Sequence, residues 1–303
     1  MNIFISTTSF GEFDTSPLDA LKRANLTPRL NPLHRKLASS ELIEYASDAI
    51  GIIAGTEILN RETLEQLKRL RVISRCGAGV DNVDMQAAEQ LGIKVYNTPW
   101  GPTRAVAELT IGLILDCLRG VSQSDRSIRA GKWEKSMGWL LEGKTVGIIG
   151  FGRIGKEVYR ILKAFGAIVI AYDIAPPQDS LGVRITSLEN VIASSDIITL
   201  HVPGDAGCIM NRSSIALMKQ GAILINASRA GLVDEDALYD ALSTKRLANA
   251  AIDTPSEEPY TGKLTQLENI ILTPHIGSYA KEARILMEKQ AAENLLLNLK
   301  LKL

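Results

Sequence analysis

The 303-residue sequence predicts an α/β protein with parallel sheets flanked by helices. Strand-like and helix-like patterns alternate along almost the whole chain, the order that builds βαβ units. Apolar runs at 49–54 and 72–75 read as buried strands. A glycine-bearing turn at 150–155 joins a third apolar run to a helical pattern.

The elements follow in order. Residues 2–6 form a first strand. Ser16-Pro17 supplies a cap and a first-turn proline for a helix near 18–24. Ser39-Ser40-Glu41 opens the next helix. A helix at 61–70 separates the two buried strands, 84–91 is helical and 94–96 extended. Asn97-Thr98-Pro99-Trp100-Gly101-Pro102 is a cluster of breakers and marks a domain joint. A long buried helix at 103–119 and a second at 122–130 follow. Residues 131–139 then form an arm carrying Trp133 and Trp139, a surface for a second subunit. Further strands are expected at 197–202, 222–226, 249–252 and 270–273. A last helix, 279–299, is expected to return to the N-terminal part. The predicted domains are therefore 1–100 plus 277–303, and 101–276.

Composition narrows the function. Lys+Arg and Asp+Glu both number 34, so no basic field attracts nucleic acid or an acidic membrane. The apolar run 109–118 is too short to span a bilayer and holds Asp116. Cys76, Cys117 and Cys208 are odd in number and far apart, which fits neither disulfides nor a metal site and points to a reducing, cytoplasmic setting. The N-terminus lacks the basic start and long apolar core of a signal peptide.

The run Val146-Gly147-Ile148-Ile149 enters Gly150-Phe151-Gly152-Arg153-Ile154-Gly155, and the next apolar run ends in Asp173. Each part suits a dinucleotide. Gly150 allows a tight turn, Gly152 a close approach of pyrophosphate, and Gly155 close packing of helix on strand. The helix N-terminus offers unpaired N–H groups to the phosphates. Asp173 accepts hydrogen bonds from ribose hydroxyls and repels a 2′-phosphate, with no cation in Ile174-Ala175-Pro176-Pro177 to offset it. The expected cofactor is NAD rather than NADP.

Three later segments place polar groups just past strands: Asn226-Ala227-Ser228-Arg229, Asp253-Thr254-Pro255-Ser256-Glu257-Glu258 and Thr273-Pro274-His275-Ile276-Gly277. Ligands of doubly wound sheets bind at the carboxyl ends of strands, so all three are expected beside the nicotinamide. Chemistry alone does not separate Glu257 from Glu258.

Further motifs are Arg75-Cys76-Gly77-Ala78-Gly79-Val80-Asp81-Asn82-Val83-Asp84, Asn97-Thr98-Pro99, Val106-Ala107-Glu108-Leu109 and His201-Val202-Pro203. With the glycine turn and the three segments, they make the chain similar to the D-isomer-specific 2-hydroxyacid dehydrogenases over essentially its full length. Within them it most resembles D-3-phosphoglycerate dehydrogenases of short form, without a C-terminal regulatory domain. The resemblance implies two Rossmann-like, flavodoxin-like domains with the active site in the cleft between them, a homodimer, and a place in serine biosynthesis. It puts catalysis on Arg229, Glu258 and His275. In these roles His275 is the acid of 2-oxo acid reduction, Glu258 its stabilising partner, and Arg229 the guanidinium that holds the carboxylate. It assigns cofactor contacts to Thr103, Gly150, Gly152, Arg153, Ile154, Gly155, Asp173, His201, Val202, Pro203, Ala227, Ser228, Arg229, Asp253, His275, Gly277 and Ser278. It also implies that Cys76, Gly77, Ala78 and Gly79 grip the substrate carboxylate, and that Arg75 and the neighbouring subunit's Lys135 lie near a substrate phosphate.

Two departures bear on the substrate. The loop Ala54-Gly55-Thr56-Glu57 lacks a basic residue and offers a carboxylate unwelcoming to phosphate, and Thr254-Pro255 replaces a more usual Val-Phe pair. Reduction of glyoxylate, hydroxypyruvate or another small 2-oxo acid is therefore the alternative activity. A non-catalytic NAD-sensing interaction protein is the alternative of another class, against which the Arg229, Glu258 and His275 set argues.

Overall fold

A computed structural model describes residues 1–175 and 179–299; Pro176 and Pro177, part of the case against NADP, lie outside them. The chain forms two compact units, Met1–Pro102 with Ser278–Leu303, and Thr103–Gly277.

The first unit holds five parallel strands: β1 Asn2–Ile5, β2 Thr27–Leu30, β3 Gly51–Ala54, β4 Val72–Arg75 and β5 Lys94–Asn97, in the order β2-β1-β3-β4-β5. Alternation along the strands splits its core in two. Phe4, Ile52 and Ile73 face the helices α2 Ser39–Ala46, α3 Arg61–Gln66 and α4 Met85–Gln90, through Leu42, Leu64 and Ala87. Ile3, Ile5 and Ile53 face the other way, toward α1 Ser16–Arg23 and the C-terminal helix Lys281–Asn298, through Leu21, Met287, Leu295 and Leu296. Each such apolar side chain contributes about 1.5–3 kcal/mol by leaving water. α3 and α4 start at polar caps, where Asn60 accepts from the Thr63 amide at 3.0 Å and Asp84 from the Ala87 amide at 2.8 Å. The cap expected of Ser16 is not made: α1 begins at Ser16 itself, with Thr15 at the N-cap and no side-chain cap bond.

Three further local expectations change. β2 carries no apolar alternation and was not foreseen; it is an edge strand, where Pro28 costs no ladder bond on the open side. α3 ends at Gln66 rather than 70. α5 spans Trp100–Arg119, so the helix begins inside the breaker cluster. Pro102 sits in its first turn, where the missing N–H has no partner to lose.

After α5 come α6 Val121–Arg129 and an arm without regular structure, on which Trp133 is 81% exposed and Trp139 49%. The second unit then lays down β6 Thr145–Ile149, α7 Arg153–Ala164, β7 Ile168–Tyr172, β8 Arg184–Ile185, α8 Leu188–Ser194, β9 Ile197–Leu200, α9 Arg212–Leu217, β10 Ala222–Asn226, α10 Glu235–Ser243, β11 Leu247–Ile252 and β12 Ile270–Leu272. Its seven strands are parallel, in the order β12-β11-β10-β9-β6-β7-β8. The direction of winding reverses between β6 and β9, so the loops after these strands open at the switch point of the sheet. Ile148, Val158, Ile197 and Ile225 pack on one face with Ile114 of α5; Ile149, Ile198, Leu224 and Leu238 pack on the other. Among the described residues no helix is long and apolar enough to cross a membrane.

Candidate active site

The turn after β6 shows why its glycines differ in purpose. Gly150 has φ +96°, and a Cβ there would lie 2.4 Å from the His201 carbonyl oxygen. A Cβ on Gly155 would lie 2.1 Å from the Gly150 carbonyl oxygen. Gly152, the N-cap of α7, faces open space. Two glycines thus bring backbone against backbone, and the third leaves room before the helix N-terminus, as a pyrophosphate requires. Arg153 and Ile154 open that helix. Asp173 sits just past β7, and its carboxylate accepts from the Phe151 amide at 2.7 Å and the Ala175 amide at 2.9 Å. It therefore holds the glycine turn as well as standing at the ribose position of the motif. These residues fit a dinucleotide.

His201 packs against this turn. Its Nε2 lies 2.9 Å from the Thr199 hydroxyl, and burial pulls the ring down to about 3. A ring neutral at ordinary pH is no proton donor, so His201 positions the turn through its backbone. Val202 continues the link: its carbonyl accepts the Ser228 hydroxyl at 2.6 Å. Asn226 ties the same loop by donating to the Arg229 carbonyl at 2.8 Å and accepting from the Ser228 amide at 3.1 Å. Pro203, Ala227 and Arg229 are thus held next to the switch point, and the Arg229 guanidinium also donates to the Ser228 carbonyl at 2.8 Å.

Glu258 and His275 meet: Oε1 lies 2.7 Å from Nδ1. Of the two adjacent glutamates, Glu258 is the one that reaches the ring. Both side chains of the pair are partly open, 42% and 38% exposed. His275 adopts φ +54°, a left-handed conformation costly for a residue with a Cβ. Asp253, fully buried at the end of β11, explains how it is held. Its main-chain oxygen accepts from the His275 amide at 2.9 Å. Its carboxylate accepts from Thr273 Oγ1 at 2.6 Å, the Ile276 amide at 2.8 Å and the Gly277 amide at 2.9 Å. Sequence reading missed this clamp, because only pairing of β11 with β12 brings residue 253 beside 273–277.

In the first unit, Arg75 ends β4 and its guanidinium bonds the Cys76 carbonyl. Gly77 donates to Thr98 Oγ1 at 2.7 Å, and Asn97 donates to the Ala78 carbonyl at 2.6 Å. Among the described residues the amides of Ala78 and Gly79 have no hydrogen-bond partner, as an anion-gripping loop requires. The Cys76 side chain is turned into the core, and burial pushes its thiol up to about 11, so only its backbone serves this loop. Glu57 also differs from expectation. It is 1% exposed, bonds the Ser6 hydroxyl and accepts from the Gly55 amide at 3.1 Å. Its carboxylate braces its own loop from inside. Thr103 lies in the first turn of α5, Lys135 on the exposed arm, and Ser278 just past the Asp253-held segment.

A family model described as "D-isomer specific 2-hydroxyacid dehydrogenase, NAD binding domain" matches residues 111–277. The chain belongs to this family. Among its relatives, the hydroxypyruvate reductase of Thermotoga maritima is 42% identical over 245 residues, covering 78% of this chain and 80% of that protein. The D-3-phosphoglycerate dehydrogenase of Methanocaldococcus jannaschii is 41% identical over 259 residues, covering 82% of this chain but 49% of that protein, about half its length. The crystal structure of the TT0316 protein of Thermus thermophilus matches 99% of this chain and 97% of that one, with a TM-score of 0.90 at 34% identity. The chain is thus an NAD-dependent oxidoreductase of the D-2-hydroxyacid class, and its dinucleotide unit is the family's NAD-binding domain.

Proposed function

We propose that this enzyme interconverts D-3-phosphoglycerate and 3-phosphohydroxypyruvate. The single observation that carries the reading is the Glu258–His275 pair at 2.7 Å, on a segment held by Asp253 and in the same unit as the NAD-binding turn. NAD, when bound, supplies the hydride acceptor for oxidation and, reduced, the donor for the reverse. The His275 ring carries the proton to or from the substrate oxygen, and the Glu258 carboxylate favours the charged ring. Arg229 holds the carboxylate and polarises the carbonyl, a fork that matches both oxygens of an acid. The amides of Ala78 and Gly79 are the proposed grip on the same carboxylate; those of Cys76 and Gly77 are taken by the Ala54 carbonyl and Thr98 Oγ1 and shape the loop instead.

The phosphate is the finer step. Arg75 supplies the cation, and Glu57, bonded inside its own loop, does not present its carboxylate at the surface. Reduction of hydroxypyruvate is the second reading, favoured by the Thermotoga relative, which the chain matches over most of its length. Rates with NADH on phosphohydroxypyruvate, hydroxypyruvate and glyoxylate separate the two. On the first reading, Arg75→Ala lowers kcat/KM for phosphohydroxypyruvate roughly ten- to a hundred-fold, the worth of a charge-assisted bond, and leaves hydroxypyruvate little changed. Equal losses on both substrates would discard the phosphate contact.

We further propose a homodimer built on the arm, supported by the exposed Trp133, Met137 and Trp139. Pairing would also let Lys135 add a second cation at the phosphate. Sedimentation should show a dimer that Trp133→Asp with Trp139→Asp converts to monomer; an unchanged dimer would move the contact elsewhere. A cytoplasmic setting is supported by the free cysteines, two of them buried, with burial pushing Cys117 up to about 12.

A further inference from the structure

The geometry points to Glu235 as the residue that positions Glu258 against His275. This rests on the reading of His275 as the proton carrier. Glu235 lies in the first turn of α10, whose N-cap is Asp234. Its carboxylate makes three hydrogen bonds, all to the loop that carries Glu258. Oε1 accepts from the Ser256 amide at 2.7 Å, and Oε2 accepts from the Ser256 hydroxyl at 2.9 Å and the Tyr260 hydroxyl at 3.0 Å. The bonds fall two residues before Glu258 and two residues after it. One carboxylate therefore brackets the position from both sides.

The bracket is anchored at each end. On the α10 side, Glu235 is fixed to a helix packed into the core through Leu238 and Leu242. On the loop side, Tyr260 packs on the same core cluster, and Gly262 makes this possible, since a Cβ there would lie 2.5 Å from the Tyr260 ring. Burial and the neighbouring Glu235 push the Tyr260 hydroxyl up to about 12, so it stays a donor at ordinary pH. Lys263 then pins the end of the loop to α10 through Asp236 at 2.7 Å. Between these anchors, Glu258 itself is 42% exposed and makes its described bond to His275 alone. Nothing about Glu258's own side chain fixes its place; the backbone on either side does.

The consequence is a property of the His275 ring. A carboxylate held at 2.7 Å keeps the ring oriented for proton transfer, and one that wanders does not. The other charged groups on the segments that carry the pair are Arg229 in the loop after β10, Glu257 beside Glu258, and Asp253, whose carboxylate is taken up by Thr273, Ile276 and Gly277. The described bonds of Glu235 are those to Ser256 and Tyr260, so a change at 235 reaches the ring through the Glu258 loop.

The test compares Glu235→Gln, Glu258→Gln and the double variant by pH–rate profiles for 2-oxo acid reduction and by thermal midpoint. Glutamine keeps the size of the side chain but only one accepting oxygen for three donors. Glu235→Gln is expected to lower kcat about ten- to a hundred-fold with little change in substrate KM. Its pH–rate profile should move in the same direction as that of Glu258→Gln. Tyr260→Phe, which keeps the packed ring and loses one bond, should shift the same way by less. In the Glu258→Gln background, Glu235→Gln should add no further shift. A Glu235→Gln profile like the wild type, whatever its thermal midpoint, would reduce Glu235 to a structural residue. A further shift in the Glu258→Gln background would show that it acts by another route. If Glu258→Gln alone leaves the profile unmoved, the assignment of the His275–Glu258 pair itself has failed.

Discussion

Replacing His275 by alanine is expected to lower turnover about a hundred- to ten-thousand-fold, the usual worth of a positioned general acid, while NADH still binds. The separation follows from the structure. The turn 150–155 is held by Asp173 and by the backbone of His201, whereas His275 is held by Glu258 and Asp253. NADH affinity, read by fluorescence titration, should therefore change far less than kcat. Alanine at φ +54° also strains the loop, so His275→Asn is the better companion, because asparagine tolerates the left-handed region. Both variants should be inactive by the same mechanism although only one disturbs the backbone. Wild-type turnover in His275→Asn would end the assignment, since His201, buried and neutral, cannot replace it.

The parts of this molecule legible in its sequence are those that local rules decide. The turn 150–155 declares itself because three glycines meet three separate steric demands within six residues. The parallel strands β3, β4 and β10 show as apolar runs because helices cover both faces of their sheets. β2 does not show, because an edge strand with mostly exposed residues needs no apolar pattern. The start of α5 misleads, since Pro102 looks like a breaker and is harmless in a first turn. At the site, Arg229, Glu258 and His275 could be named from their motifs, and the choice of Glu258 over Glu257 came from resemblance rather than from chemistry. What holds them was not legible: Asp253 was expected as a cofactor contact, and Glu235 carried no expected role. Asp253 and Glu235 act across 20 or more residues, at 253–273 and 235–256, and such pairings exist only once the strands are in register. Glu57 gives the reverse lesson, for a carboxylate that looked hostile to phosphate is taken up inside its own loop.

Asp253→Ala carries the second large effect. The variant strips acceptors from the Ile276 and Gly277 amides and the Thr273 hydroxyl at once. An orphaned buried donor costs about 1–3 kcal/mol, so three would cost several if the loop kept its shape. The lower-energy outcome is that 273–277 gives way and its amides turn to water, since Ile276 is already 36% exposed and His275 sits in a strained conformation that these bonds help to maintain. The expected result is thus an enzyme that folds, with a thermal midpoint a few degrees lower, and turns over about a hundred-fold more slowly. Asp253→Asn should fall between, because its amide group keeps one accepting oxygen and sets an N–H₂ against a backbone N–H. NADH affinity divides the two roles proposed for this carboxylate: a loss of kcat alone marks a clamp on His275, and a matching loss of affinity marks a cofactor contact as well. Wild-type kcat in Asp253→Ala would mean that the register of β11 with β12 holds His275 unaided, and the clamp would have to be abandoned.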